Sequence, residues 1–220
     1  MKTIASCVEA IVLEQPFLEE ALSKEIINYS ALADVLRDEV SLALGKPVKS
    51  GAIMMALRRY KDRLSISKPY YGISTLLEQL GDITLRSNLS DFTFRNSNTL
   101  INSQADILNK IKDKSHIFYT FTRGILESNI IISSSENAAI NESFKNEERI
   151  ALKENLSAIS LILPKNNTKV AGLYYQILKR LAWQNVSLYE VISTTNEFTI
   201  VVEDEFVDSA FSIIKNLNKN

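Results

Sequence analysis

The 220-residue sequence predicts an α+β protein in which a helical module precedes a two-layer sandwich of sheet and helices. Apolar residues recur at helical spacing from Lys2 to Leu80, whereas beyond Gly81 they alternate as in β-strands. The second part also repeats itself, because residues 90–140 and 157–210 are similar at a shift of about 70 residues. We therefore divide the chain into residues 1–80, 81–155 and 156–220.

The first 80 residues read as helices bounded by Pro16, Pro47 and Pro69. An apolar periodic run follows Ser30, whose hydroxyl is expected to cap the first helical turn, and this run ends at the turn Gly45-Lys46-Pro47. Another helix is expected from about Ser50. Helix, short turn and helix together form the outline of a helix-turn-helix.

Charge changes sign within this module: residues 1–44 carry a net charge of −5, and residues 45–70 carry +6. A basic second helix is what a protein that reads the DNA major groove requires. The candidate nucleic-acid-binding residues are Lys46, Lys49, Ser50, Arg58, Arg59, Lys61 and Arg63. The alternative is a helical interaction module with the same cations on a solvated face.

The residue inventory argues against catalysis. One histidine, His116, and one cysteine, Cys7, leave little material for a zinc site or an activated nucleophile, and both are interpreted as structural. The six glycines lack the spacing of a nucleotide-phosphate loop. We predict no catalytic residue, metal or cofactor. The single cysteine and the lack of a signal or membrane segment favour a cytoplasmic protein.

Each copy of the repeat reads strand, helix, strand, strand and shorter helix. Ile107 falls on Ile177 and Ile111 on Leu181, while Phe92 falls on Leu161 at a slightly smaller shift. The first helix of each copy is expected to cross right-handed to a neighbouring parallel strand. Each copy lacks a last strand. The spare segments Ile83 to Arg86 and about Arg149 to Lys153 are predicted to complete two sheets, with exchange between the copies as one arrangement.

The second copy resembles an ACT domain, most closely those that regulate aspartokinases. The resemblance rests on four stretches, which are Leu156-Ser157-Ala158-Ile159-Ser160-Leu161-Ile162-Leu163-Pro164, Val170-Ala171-Gly172-Leu173, Asn185-Val186-Ser187-Leu188 and Ser193 to Val202. It implies a tandem ACT-like, ferredoxin-like sandwich that is the regulatory part of such an enzyme without a kinase domain. It also implies a homodimer and binding of an amino acid or similar small metabolite.

The resemblance places the ligand between the loop Asn166 to Gly172 and a facing strand that begins at Asn185. The implied ligand-binding residues are Asn167, Lys169, Val170, Ala171, Gly172, Asn185 and Ser187. Gly172 would allow close approach of a ligand, and the free amides of the following helical turn would attract a carboxylate. The first copy has Ser103-Gln104-Ala105 at the turn taken to correspond, without a glycine. An ACT pair that only dimerises is the alternative.

These expectations combine into a non-enzymatic regulatory protein that senses a small metabolite. A ligand-responsive transcription regulator is one form of it, because the basic helix is linked to the sensing part. An interaction subunit that dimerises through its ACT domains and docks on a biosynthetic enzyme is the other.

Overall fold

The computed structural model describes residues 2–64 and 71–217, which divide into two compact units, Met1–Tyr71 and Gly72–Asn220. The division falls before the predicted boundary at residue 80, so the last helix of the predicted helical module lies in the second unit. Ile73 of this helix packs against Gly172 of the second unit. A Cβ atom added at Gly172 would lie only 2.9 Å from Cδ1 of Ile73.

Residues 2–64 of the first unit form four helices, which are α1 (Ile4–Glu14), α2 (Pro16–Ser23), α3 (Tyr29–Leu44) and α4 (Ser50–Leu64). Their apolar stripes form one core in which Val8, Leu22 and Leu57 are fully buried. Cys7 is a buried free thiol in this core, as the structural interpretation requires.

The predicted cap of α3 was displaced by two residues. The side chain of Asn28, not of Ser30, accepts hydrogen bonds from the amides of Ser30 and Ala31. The predicted end is confirmed, since α3 stops at Gly45 in the left-handed conformation, with φ of 65°. The turn of residues 45–49 leads directly into α4.

The second unit is a six-stranded antiparallel sheet with helices, in the strand order β2-β3-β1-β4-β6-β5. Its elements are α5 (Tyr71–Glu78), β1 (Ile83–Arg95), α6 (Leu100–Ile111), β2 (Tyr119–Arg123), β3 (Glu127–Ser133), α7 (Asn137–Ser143), β4 (Arg149–Ile162), α8 (Leu173–Trp183), β5 (Glu190–Ser193), β6 (Glu197–Glu203) and α9 (Val207–Lys215).

The two spare segments are the first halves of the two long strands, β1 and β4. Ile83 to Arg86 pairs with residues 158–161 of the second copy, and residues 149–153 pair with the end of β1 in the first copy. Exchange between the copies is therefore confirmed, but one continuous sheet forms instead of two. The expected parallel neighbours were wrong, because β3 lies between β1 and β2 and pairs antiparallel with both.

Each long strand bends at an asparagine in the left-handed conformation, Asn88 with φ of 56° and Asn155 with φ of 60°. The register of the β1–β4 pair shifts just after Arg86, as a β-bulge produces. The burial patterns of β1 and β4 superpose when these asparagines are aligned. Phe92 then corresponds to Ile159, so its predicted alignment with Leu161 was wrong.

The sheet has two different faces. One face carries the helices, and Phe92 and Ile130 of the sheet and Ile107 of α6 are fully buried between the two layers. The other face, here called the helix-free face, holds a second apolar core in which β1, β3, β4 and β6 contribute Leu89, Ile131, Leu156, Ala158 and Val201. Phe118, which precedes β2, and Ile192 of β5 also pack against this core. Because β2 and β5 are the two edge strands, the sheet is curled toward this face.

Candidate ligand-binding site

The predicted ligand loop connects β4 to α8 and is pinned to the rest of the second copy by Asn167. This side chain is only 5% exposed, and its Nδ2 donates to the carbonyl oxygens of Pro164 and Thr195, both at 2.8 Å. The amide nitrogen of Asn167 is therefore occupied in shaping the loop. Lys169 and Ala171 are exposed on the loop, and Val170 is half-buried.

Gly172 is the residue that precedes α8, and its conformation requires a glycine. It has φ of 95°, and a Cβ atom there would lie 2.9 Å from Cδ1 of Ile73. The close approach predicted for a ligand at Gly172 is thus made by a side chain of the protein itself. No side chain caps the first turn of α8 within the described residues. The first amides of a helix lack an intrahelical acceptor and attract anions.

Asn185 and Ser187 lie at the opposite end of α8 from this loop. Asn185 follows the helix in the left-handed conformation, with φ of 54°, and both residues are exposed. The 11 residues of α8 span roughly 16 Å. The structure therefore gathers the loop residues at one place but does not bring Asn185 and Ser187 to them within one chain.

The corresponding end of the first copy is built differently. The connection between β1 and α6 is residues 96–99, six residues shorter than residues 163–172. Ser97 Oγ accepts from the amides of Thr99, at 3.2 Å, and Leu100, at 3.0 Å, and so caps α6. The predicted turn at Ser103-Gln104-Ala105 was wrong, because these residues lie within α6.

A carboxylate of the protein completes this N-terminus of α6. Ser97 Oγ also donates to Glu147 Oε2 at 2.5 Å, and Ser103 Oγ donates to Glu147 Oε1 at 3.0 Å. Burial raises the pKa of Glu147, but hydrogen bonds from Ser97, Thr99 and Ser103 outweigh it, so the pKa lies below its ordinary value. Sequence reasoning missed Ser97 and Glu147, and the short connection of the first copy is the signal that could have indicated a filled site.

Four of the seven predicted nucleic-acid-binding residues have partners inside the first unit. Lys61 forms an ion pair with Glu25, and Arg63 forms one with Glu9 at 2.9 Å. The guanidinium of Arg58 lies 5.8 Å from the ring centre of Tyr29, and Ser50 Oγ donates to Asp34 at 2.5 Å. Lys46, Lys49 and Arg59 are exposed, and no side-chain partner is found for them within the described residues.

Within residues 2–64 and 71–217, no three side chains of His, Cys, Asp or Glu lie close enough together to hold a metal ion. No helix in the same ranges is long and apolar enough to cross a membrane.

Comparison with solved structures identifies the fold. The structure is similar to the aspartate kinase of Clostridium acetobutylicum, with a TM-score of 0.51 and 15% identity over 62% of this chain and 34% of that one. It is similar to the alpha and beta subunits of an aspartokinase, with a TM-score of 0.51 and 7% identity over 63% and 97%. It is also similar to the regulatory subunit of aspartate kinase from Thermus thermophilus in its ligand-free form. The TM-score is 0.50, and the identity is 8% over 63% of this chain and 97% of that one.

No protein-family model matches the sequence, and no curated protein matches it either. The chain spans about a third of the C. acetobutylicum enzyme but nearly the whole of the Thermus regulatory subunit. The matched share of this chain is close to that of the unit Gly72–Asn220. The predicted resemblance is thus borne out at the level of the fold, which is that of an aspartokinase regulatory region.

Proposed function

We propose that this protein is a non-enzymatic regulator that senses a small metabolite with a carboxylate, such as an amino acid, at the N-terminus of α8. The observation that carries the proposal is the difference between the two helix ends. In the first copy the hydroxyl of Ser97 accepts from the Leu100 amide and donates to Glu147, whereas no side chain caps α8 within the described residues. Glu147 stands in for the carboxylate that a ligand would bring to α8.

The loop residues Asn167, Lys169, Val170, Ala171 and Gly172 surround this position, and the exposed ammonium group of Lys169 adds a positive charge. Asn185 and Ser187 could contribute only from a second chain, which makes a homodimer part of the proposal. Similarity in fold to proteins described as regulatory subunits supports a regulatory role. A ligand would act by binding one arrangement of the dimer more tightly than another.

The test is a thermal-shift screen of the full chain against the twenty amino acids. A ligand at about 100 times its dissociation constant is expected to stabilise the protein by about 2.7 kcal/mol. The decisive variant is A171D, which places a carboxylate beside the first turn of α8, as Glu147 does for α6. Replacement of Gly172 is unsuitable, because its φ of 95° and the approach of Ile73 would strain any larger residue.

We expect A171D to keep or slightly raise the melting temperature and to remove the shift given by the ligand. The matched control is A182D, which adds the same charge in the last turn of α8, where Ala182 is also exposed. It should leave the ligand shift intact. No shift with any amino acid, or an equal shift in A171D, would reject this site and favour an ACT pair that only dimerises.

For the first unit we propose an interaction role, with DNA or a biosynthetic enzyme as the partner. The exposed cations Lys46, Lys49 and Arg59 support DNA, because only they among the seven candidates have no internal partner in the described part of the unit. Three phosphate contacts predict that log K falls with log salt concentration with a slope of roughly −3. A docking module should show no such binding to arbitrary duplex DNA.

A further inference from the structure

The helix-free face of the sheet contains a cavity of about 470 Å³, within the range of small-molecule sites. Its floor is a row of hydroxyl groups on three adjacent strands, Thr84, Ser160 and Thr199, which lie directly opposite one another. Ser160 and Thr199 share a hydrogen bond of 2.7 Å. Phe118 and Ile192 provide an apolar wall.

Two opposite charges line the cavity on either side of this row. Arg86 lies two residues beyond Thr84 on β1, and Glu197 lies two residues before Thr199 on β6. Strand geometry puts their Cα atoms roughly 16 Å apart along the sheet. Arg86 donates one hydrogen bond, to the carbonyl oxygen of His116 at 2.9 Å. Within the described residues, neither Arg86 nor Glu197 has a charged partner.

The other half of the helix-free face is filled by the protein. Tyr189 Oη donates to Asp91 Oδ2 at 2.9 Å, and Asn129 Nδ2 donates to Glu190 Oε2. Lys153 occupies the position in β4 that Arg86 occupies in β1, relative to the two left-handed asparagines, and it is paired with Glu203 at 2.6 Å. This half thus holds one ion pair, Lys153 with Glu203, and hydrogen-bonded carboxylates, whereas Arg86 and Glu197 lie apart in the other half.

We infer that the cavity between Arg86 and Glu197 binds a small zwitterion whose anionic and cationic groups are separated by several bonds, such as an ω-amino acid. The guanidinium of Arg86 has further N–H groups to donate to a carboxylate, and Glu197 would accept from the ammonium group. The hydroxyl row would bind polar groups between them. This site is separate from the N-terminus of α8 and does not depend on the function proposed there.

The experiment is isothermal titration of the full chain with glycine, β-alanine, 4-aminobutyrate, 5-aminopentanoate and 6-aminohexanoate, with butyrate and butylamine as singly charged probes. We expect binding by one or more of the longer zwitterions and none by the singly charged compounds. R86Q and E197Q should each weaken that binding at least tenfold, since each removes a charge-assisted hydrogen bond.

The matched control is E127Q, because Glu127 begins β3 as Glu197 begins β6 and is exposed on the first copy. E127Q and A171D should bind as the unsubstituted protein does. Circular dichroism checks that R86Q and E197Q are folded, and either variant alone suffices for the test. Absence of binding by the whole series, unchanged binding in a folded R86Q or E197Q, or loss of binding in A171D would overturn the inference.

Discussion

The two copies of the repeat share their core and differ where the first helix of each copy begins. Ile107 and Ile177 occupy the same helical position and are both fully buried, and the fully buried run Ile130 to Ile132 matches the run Ile200 to Val202, which is at most 1% exposed. In contrast, Ser97 and Glu147 satisfy the start of α6, whereas α8 begins without a capping side chain.

The helix-free face divides in the same manner. Tyr189 and Glu190 fill the half beside Asp91 and Asn129, and a cavity remains beside Arg86 and Glu197. Packing positions are kept in both copies because each copy must bury its own helices. Polar positions can diverge, since a filled half already stabilises the common sheet and leaves the other half available for a ligand.

The largest expected effect tests whether the two copies form one cooperative unit. I107A and I177A each remove a fully buried side chain, so each is expected to lower the free energy of unfolding by about 2–5 kcal/mol. Because β1 and β4 each pair with both copies, both variants should unfold in one transition during urea titration. I101A is the control, with a change below about 0.5 kcal/mol at a residue 58% exposed. A transition lowered by I107A but not by I177A, or the reverse, would show that the copies unfold independently.

An intermediate effect tests the filled helix end. S97A removes the side chain that accepts from the amides of Thr99 and Leu100, so it should cost about 1 kcal/mol of stability. Ser87, exposed on β1 and without a side-chain hydrogen bond within the described residues, provides the control S87A. Thermal denaturation measures both. An S97A melting temperature equal to that of the unsubstituted protein would remove the contrast between α6 and α8.

The smallest effect compares two carboxylates with opposite pKa shifts. The pKa of Glu147 is lowered, so its stabilisation is present above pH 4.5 and is lost as the pH falls through the folded-state value. Burial raises the pKa of Asp91, which is 2% exposed, despite hydrogen bonds from Tyr189 and Thr93. Its ionised form therefore costs stability at neutral pH, and this cost is relieved as the pH falls through the raised pKa.

At pH 7 we expect E147Q to be less stable and D91N to be more stable than the unsubstituted protein, each by less than about 1 kcal/mol. Both differences should shrink in acid. Urea titrations from pH 3 to pH 7 measure them. Differences of the same sign at pH 7 would contradict the assignment of opposite shifts.

The comparison also shows where sequence reasoning succeeded. Periodicity located the helices, and the turn residues located the end of α3 at Gly45. The repeat identified Ile107 and Ile177 as equivalent core positions of the two copies. The spare segments were identified because each copy lacked one strand. These features are local or follow from one-dimensional spacing, so they could be predicted before any residue contacts were known.

Other features depended on which groups meet in space. The positive charge counted in residues 45–70 predicted a basic face, but Glu25 in the turn after α2 and Glu9 in α1 pair with Lys61 and Arg63. Trp183, the last residue of α8, is 77% exposed, although a large apolar side chain favours burial. The pairing of an exposed charge and the covering of a helix end are decided by partners far along the chain, and spacing does not encode them.

The sequence by itself determined an α+β chain with a helical module and a tandem repeat, because burial of apolar side chains imposes a period on each element. The tertiary structure alone decided that β1 and β4 run through both copies, that Asn88 and Asn155 bend them, and that Ser97 and Glu147 fill one helix end. The physical reason is that strand pairing, curling and hydrogen bonding join residues more than 40 positions apart, and their distances exist only in the folded chain.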